Sequence, residues 1–281
     1  MMEHAAEFQY RVPWPAGSYH PGSHHGIQRG GGYELHGILP LHVAGDPRRF
    51  DLRASLRDPF GVLQVRVFKQ RSAIPVILLA DVSASLSFVG QTRKFDLLIE
   101  FAKSLACSAF RVGDPFSFTA CDSVVRKELS LPRSRTRGVG ALVAERLRHF
   151  APSGADATGL LAGAEQVAGA RALVFVVSDY HLPIGLLRQV LDRLCPHAVV
   201  PVVLVDSGEG RVPGVGISHL YDPETKARRT ILLRRSWAKR FENNLHEHRE
   251  RLIRCFADHD LRPLYVIDKF EAEAVSRYFY E

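Results

Sequence analysis

The chain has no long hydrophobic run. Its longest apolar stretches, Ile74–Ala80 and Ala198–Val205, fall well short of the roughly 18–20 residues a membrane-spanning helix needs. Residues 1–10 include Glu3 and Glu7 and no apolar core of a secretory signal. Sulfur is scarce. The four cysteines, Cys107, Cys121, Cys195 and Cys255, form no Cys-x-x-Cys pair, and the apolar neighbours of Cys107 and Cys121 suit buried thiols better than bridges or zinc ligands. These absences point to a cytoplasmic protein without membrane contact. No glycine precedes a lysine, which excludes a Walker phosphate loop. Gly138-Val139-Gly140 and Gly214-Val215-Gly216 lack the third glycine of a dinucleotide fingerprint, and no Gly-x-Ser-x-Gly elbow presents a serine nucleophile.

What is present is a globular composition: 281 residues, 46% hydrophobic and 24% charged, enough for one large domain or two small ones with a substantial core. The formal charge is +7, and much of the excess is local, with ten Lys/Arg against three Glu between Lys226 and Arg254. Without a stacking-aromatic platform or zinc knuckle, nucleic acid is the less favoured partner for that stretch.

Three regions follow. Residues 1–32 read as a tail, since 13–32 hold six Gly, three Pro and three His. Residues 33–72 read as a small β-rich segment of short strands and loops. Residues 73–281 alternate apolar strands (Ile74–Ala80, Phe116–Ala120, Ala172–Ser178, Ala198–Val205, Leu264–Ile267) with helical patterns (93–110, Val139–His149, Gly159–Val167, Leu186–Leu194, Ser236–Asp258, Glu271–Phe279). A hairpin insertion is expected near 210–235. Continuous apolar strands joined through helices indicate an α/β, doubly wound, mostly parallel sheet flanked by helices.

The constellation that carries chemistry is Asp81-Val82-Ser83-Ala84-Ser85, at the carboxyl end of the first buried strand. Ligand sites of open α/β sheets form at that edge, where the strand order reverses. A carboxylate and two hydroxyls are hard oxygen donors suited to Mg²⁺ or a similar divalent ion. Asp179 ends the second buried strand in the same way and converges on Asp81 if the two strands are neighbours. The competing reading is ordinary turn and N-cap chemistry.

These residues resemble the von Willebrand factor A-like proteins of domain-of-unknown-function family 58, often found beside MoxR-type AAA+ ATPases. Asp81-x-Ser83-x-Ser85 is similar to that fold's metal-ion-dependent adhesion site. Gly30-Gly31-Gly32-Tyr33-Glu34-Leu35, Gly45-Asp46-Pro47-Arg48-Arg49-Phe50-Asp51-Leu52-Arg53-Ala54-Ser55 and Asp222-Pro223-Glu224-Thr225 resemble further family segments. Leu52 replaces the family's tryptophan. In the simplest register Ala155 stands where the fold supplies a threonine ligand, leaving Asp156 or Thr158 as substitutes. The resemblance implies a non-catalytic protein-binding module. A divalent ion on Asp81, Ser83, Ser85 and Asp179 would engage an acidic residue of a partner, such as a MoxR-type AAA+ ATPase or its client. Arg48, Arg49 and Arg53 are candidates for partner contact, or for pairing with acids in a structural role. The alternatives from other classes are a metal-dependent hydrolase or phosphatase using Asp81 and Asp179, which lacks an evident general base because a core or surface role is expected of His181, and a basic nucleic-acid scaffold.

Overall fold

The computed structural model describes residues 6–12, 14, 21–44, 46–154, 156–209, 216–221, 228–233 and 235–281. The chain divides into two compact units. One comprises Met1–Tyr10, Pro75–Arg111 and Pro115–Glu281, the other Arg11–Ile74 and Val112–Asp114.

The smaller unit is built on one antiparallel pair, β1 (Pro21–Pro40) with β2 (Gln64–Ser72), whose register shifts repeatedly along the Gly-rich half of β1. Strand therefore begins inside the stretch expected to be a tail. Glycine weakens a strand but tolerates irregular, bulged pairing, so a Gly-rich composition did not prevent one here. His24, from the same stretch, is buried with Nε2 2.7 Å from Asp114 Oδ2.

Between β1 and β2 the chain is helical, where strands and loops were expected. A short helix, α1 (Leu41–Ala44), is followed by a 3₁₀ turn, Pro47–Arg49, and by α2 (Leu52–Arg57). Asp46 and Asp51 cap the last two, accepting from the backbone N–H groups of Arg48 and Ala54. Asp51 also takes Arg66 Nε at 2.7 Å, and Ser55 Oγ accepts from Gln64 N. The Gly45–Ser55 signature is thus largely a set of caps and cross-ties. Arg49 pairs with Asp46 and lies 4.8 Å from the Phe68 ring, whereas Arg48 and Arg53 are exposed. Leu52 is 60% exposed.

The larger unit holds a six-stranded sheet: β3 (Val76–Asp81), β4 (Phe116–Cys121), β5 (Val125–Ser134), β6 (Leu173–Ser178), β7 (Ala198–Val205) and β10 (Leu264–Ile267), in the order β10-β7-β6-β3-β4-β5. All neighbours are parallel except β5, which returns from β4 as an antiparallel edge. From β3 the chain crosses to β4 on one side and then to β6 on the other, so the order reverses at β3. The hairpin β8 (Gly216–Tyr221) and β9 (Arg228–Leu233) lies where an insertion was expected, while its turn at 222–225 falls outside the described residues.

Helices cover both faces. Alternation along the strands sends Leu78 and Phe175 to one face and Ile77, Leu79, Val174 and Val176 to the other. The first face meets α3 (Lys94–Val112), where Phe101 packs edge-on to Phe175 at 5.6 Å. Beside α3 sits α4 (Val139–Arg148), whose Gly140 lies so close that a Cβ would come 2.8 Å from the Lys103 carbonyl. Also on this side is α8 (Ala272–Tyr280), with Phe279 against Phe175. Phe8, expected in a tail, is 1% exposed and stacks on Phe101. An aromatic of this size gains about 1.5–3 kcal/mol on burial, which outweighs the turn-rich composition downstream of it.

The second face is covered by α5 (Gly159–Glu165), α6 (Ile184–Leu194) and α7 (Arg235–Asp258), whose Leu160, Leu187, Leu191, Leu252 and Phe256 share one core with the strands. Of the stripe expected on α7, Leu252 and Phe256 are buried, Leu245 and His248 are half-buried, and the Trp237 and Phe241 side chains lie outside the described residues. Among the described residues no helix is long and apolar enough to cross a membrane.

Candidate functional site

Every parallel strand of the sheet ends on, or is followed at once by, an aspartate: Asp81, Asp122, Asp179, Asp206 and Asp268. Three of them tie down loops at this edge of the sheet. Asp122 accepts from Val124 N and pairs with Arg126, and Asp268 accepts from Ser207 N. Asp206 accepts from the backbone N–H groups of Gly90, Gln91 and Gly208 at 2.7–3.0 Å. Burial opposes its charge, but these donors hold the Asp206 carboxyl below its ordinary range. They also pin the loop before α3. Alanine at Gly90 would put a Cβ 2.4 Å from Asp206 Oδ2. Gly90→Ala is therefore expected to lose about 1–3 kcal/mol of stability in a denaturant melt. An unchanged melt would show that the clamp is not tight.

Asp81 and Asp179 are different. β3 pairs with β6 as Ala80↔Val177, so both carboxylates reach the order-reversal edge side by side. Asp81 is 1% exposed, with Oδ1 accepting from Ser83 N and Oδ2 from Ser178 Oγ. Ser178 Oγ in turn accepts from Tyr180 N, within a turn that places Tyr180 in the left-handed region at φ 57°. The Tyr180 side chain is buried with its hydroxyl on the Val176 carbonyl, and its own carbonyl lies 2.8 Å from His248 Nε2 of α7. Such strain costs about 1–3 kcal/mol and persists where packing over-determines it.

The loop after β3 is held by Ala84 N donating to the Gly154 carbonyl. Ser83 Oγ and Ser85 Oγ stand 3.1 Å apart, and Ser85 Oγ donates to Asp179 Oδ1 at 3.2 Å. All four residues expected at the site are thus brought together. Thr158 and Asp156 flank the same cavity, but the Thr158 hydroxyl is 2.6 Å from Asp156 Oδ1 as donor, and Ala155 lies outside the described residues.

Two participants, Lys94 and Glu209, were missed in the sequence, and the direction of a third, His181, was not foreseen. Lys94, the first residue of α3, is 0% exposed. Its Nζ donates to Asp179 Oδ2 at 2.5 Å and Glu209 Oε1 at 2.9 Å, and lies 5.9 Å from the Phe88 ring. Glu209 comes from the turn after β7. His181, for which a core or surface role was expected, instead directs Nδ1 at Asp179 (3.3 Å) and Glu209 (3.5 Å). Asp179, His181 and Glu209 form a compact group of potential ligand atoms, but the ammonium of Lys94 already binds both carboxylates.

The electrostatics separate the two aspartates. Burial, with the Asp179 charge adding to it, pushes the Asp81 carboxyl up to about 6. Burial acts on Asp179 too, but the His181 hydrogen bond and the Lys94 charge outweigh it and hold that carboxyl well below its usual range. Burial likewise disfavours charge on Lys94 and His181, and their carboxylate partners more than offset it in both.

Asp81, Ser83, Ser85, His181 and Glu209 line a cavity of about 830 Å³, together with Leu182, Leu186, Asn244, Leu245 and His248. A family model described as "Protein of unknown function DUF58" matches residues 42–251. The chain belongs to the DUF58 family. A curated relative, "Uncharacterized protein in moxR 3'region" of Paracoccus denitrificans, is 39% identical over 95 residues, covering 34% of the DUF58 chain and 90% of the relative. Among solved structures, the conserved hypothetical protein BatB from Bacteroides thetaiotaomicron is similar at 12% identity, with 74% of this chain and 98% of that one covered and a TM-score of 0.45. The SpRpn10 VWA domain is similar at 9% identity, with 73% and 95% covered and a TM-score of 0.38. The strand order of the DUF58 chain, with its antiparallel β5 edge, is that of a doubly wound α/β sheet of the von Willebrand factor A or Rossmann kind.

The similarity of the Asp-x-Ser-x-Ser loop to a metal-ion-dependent adhesion site implies a divalent ion there. The 3.1 Å between the Ser83 and Ser85 hydroxyl oxygens is close to the roughly 3 Å between adjacent oxygens of an octahedral Mg²⁺, and Asp81 stands beside them. Asp179 is less open to an ion, because one of its oxygens is taken by Lys94. The donor set fits an ion at Asp81, Ser83 and Ser85, and extends to Asp179 only at the lysine's expense.

Proposed function

We propose that this DUF58 protein is a non-catalytic, von Willebrand factor A-type protein-binding module that acts in the cytoplasm with a MoxR-type AAA+ ATPase, as adaptor or chaperone component. The observation that carries the reading is the cavity at the order-reversal edge, where Ser83 and Ser85 present hydroxyls beside a buried carboxylate. The name of the Paracoccus denitrificans relative supports the choice of ATPase. Asp81, Ser83 and Ser85 would hold a divalent ion, with Asp179 as the fourth candidate ligand. The ion would supply a coordination position for a carboxylate of the partner.

The chain's own residues set the rest. Asp81 is oriented by Ser83 N and Ser178 Oγ before any partner arrives, and the short apolar lining of Leu182, Leu186 and Leu245 gives a docked side chain a surface to bury against. The test is a binding assay between purified chain and a MoxR-type AAA+ ATPase. Wild type should bind, and Ser85→Trp, which fills the cavity, should weaken binding at least about tenfold with an unchanged circular dichroism spectrum. Equal binding by both, or none by either, rules the reading out.

One observation favours a hydrolytic reading: His181 points into the cavity. It is, however, hydrogen-bonded to Asp179, and Lys94 neutralises the carboxylates around it. Magnesium-dependent turnover of p-nitrophenyl phosphate that disappears in His181→Ala would favour the hydrolase.

A further inference from the structure

Lys94 is the group at this site that neither its motif nor its fold accounts for. A lysine with no exposure is rare without full pairing. Here the backbone clamp from Asp206 fixes the loop before α3, so the first helical residue is delivered to the carboxyl edge rather than to solvent. The ammonium then meets Asp179 and Glu209, with the Phe88 ring nearby. A charge held in this way does not exchange freely with ions from solution.

We propose that Lys94 is the residue that sets the ion affinity of this site: its ammonium is a resident cation that competes with a divalent ion for Asp179. It occupies Oδ2 of the second carboxylate, while Ser85 bonds Oδ1. An entering divalent ion therefore finds one carboxylate not paired with the lysine, Asp81, whose oxygens accept from Ser83 N and Ser178 Oγ, and it experiences repulsion from the fixed positive charge 2.5 Å from Asp179 Oδ2. At such distances the repulsion is worth orders of magnitude in affinity. The wild-type site is accordingly a weak, conditional binder of divalent ions. Removing the lysine releases Asp179 and Glu209 to an ion.

This inference rests on the site assignment made above, but its test does not involve the partner. Mn²⁺ is titrated into the full chain, with bound ion read by electron paramagnetic resonance and by the shift in melting temperature. Lys94→Met should bind Mn²⁺ about a hundredfold more tightly than wild type and gain a Mn²⁺-dependent rise in melting temperature that wild type lacks. Should Lys94→Met fail to fold, Lys94→Met/Glu209→Gln removes one of the two acids left unpaired and should show the same direction of change. Adding Asp179→Asn to either variant should abolish the gain. A wild type that binds Mn²⁺ as tightly as the folded lysine variants overturns the proposal, as does a gain that survives Asp179→Asn. Failure of the ATPase to bind would overturn the protein-binding reading and leave these ion titrations unaffected.

Discussion

Asp179→Ala is expected to lower the stability of the larger unit by about 3–5 kcal/mol, the usual cost of leaving one partner of a buried ion pair uncompensated. Asp179 holds Lys94 at 2.5 Å in a place where the ammonium has no exposure to water, and only Glu209 would remain for it. For a unit of this size each kcal/mol moves the melting temperature by roughly 2–4 °C, so a fall of about 10 °C or more is expected in calorimetry. A melt within a degree or two of wild type would mean that the pair contributes little, and that Lys94 finds solvent or another acid.

Asp81→Asn should act in the opposite direction. The Asp81 carboxyl is raised to about 6 in the folded chain against 3.8 for the free group. Between those values the folded state holds a proton that the unfolded state has released, so stability falls as pH rises through the window and stays lower above it. A shift of this size corresponds to something on the order of 2–3 kcal/mol. Asparagine removes the charge while keeping an acceptor for Ser83 N. In EDTA the variant should therefore be more stable than wild type at pH 7.5, with the advantage shrinking toward zero below about pH 4. A variant less stable than wild type across the range would show that the Asp81 charge is compensated by its surroundings. The two aspartates stand in equivalent places in the sequence, yet their removal is expected to have opposite effects, because one has a lysine and the other does not.

That contrast marks how far the sequence could be read. Ile74–Ala80, Ala172–Ser178 and Ala198–Val205 announced themselves as central strands because a strand covered on both faces has no polar alternation. The positions of Asp81 and Asp179 followed, since each closes such a run, and β3 and β6 proved to be neighbours. Lys94 and Glu209 were not legible. A lysine at the start of an amphipathic helix and a glutamate in a polar turn both look like solvated residues, and their meeting depends on Asp206 clamping a loop 115 and 116 residues earlier in the chain. His181 was visible, but its direction depended on the left-handed turn at Tyr180, a conformation that a tyrosine does not advertise. In the smaller unit, Asp46 and Asp51 lie in a segment read as short strands and loops and turned out to be helix caps. The helical segments they start have six residues or fewer, too short for a period of 3.6 to declare itself.

The aspartates that end the other three parallel strands bear on how the cavity meets a partner. Asp122 and Asp206 each tie the following loop back by a backbone N–H group, and Asp268 holds Ser207 N of the turn after β7, so the cavity mouth is a preformed template that needs little reorganisation on docking. Association at such a template should follow single-exponential kinetics with a rate linear in partner concentration, lacking the slow concentration-independent phase that accompanies a required conformational change.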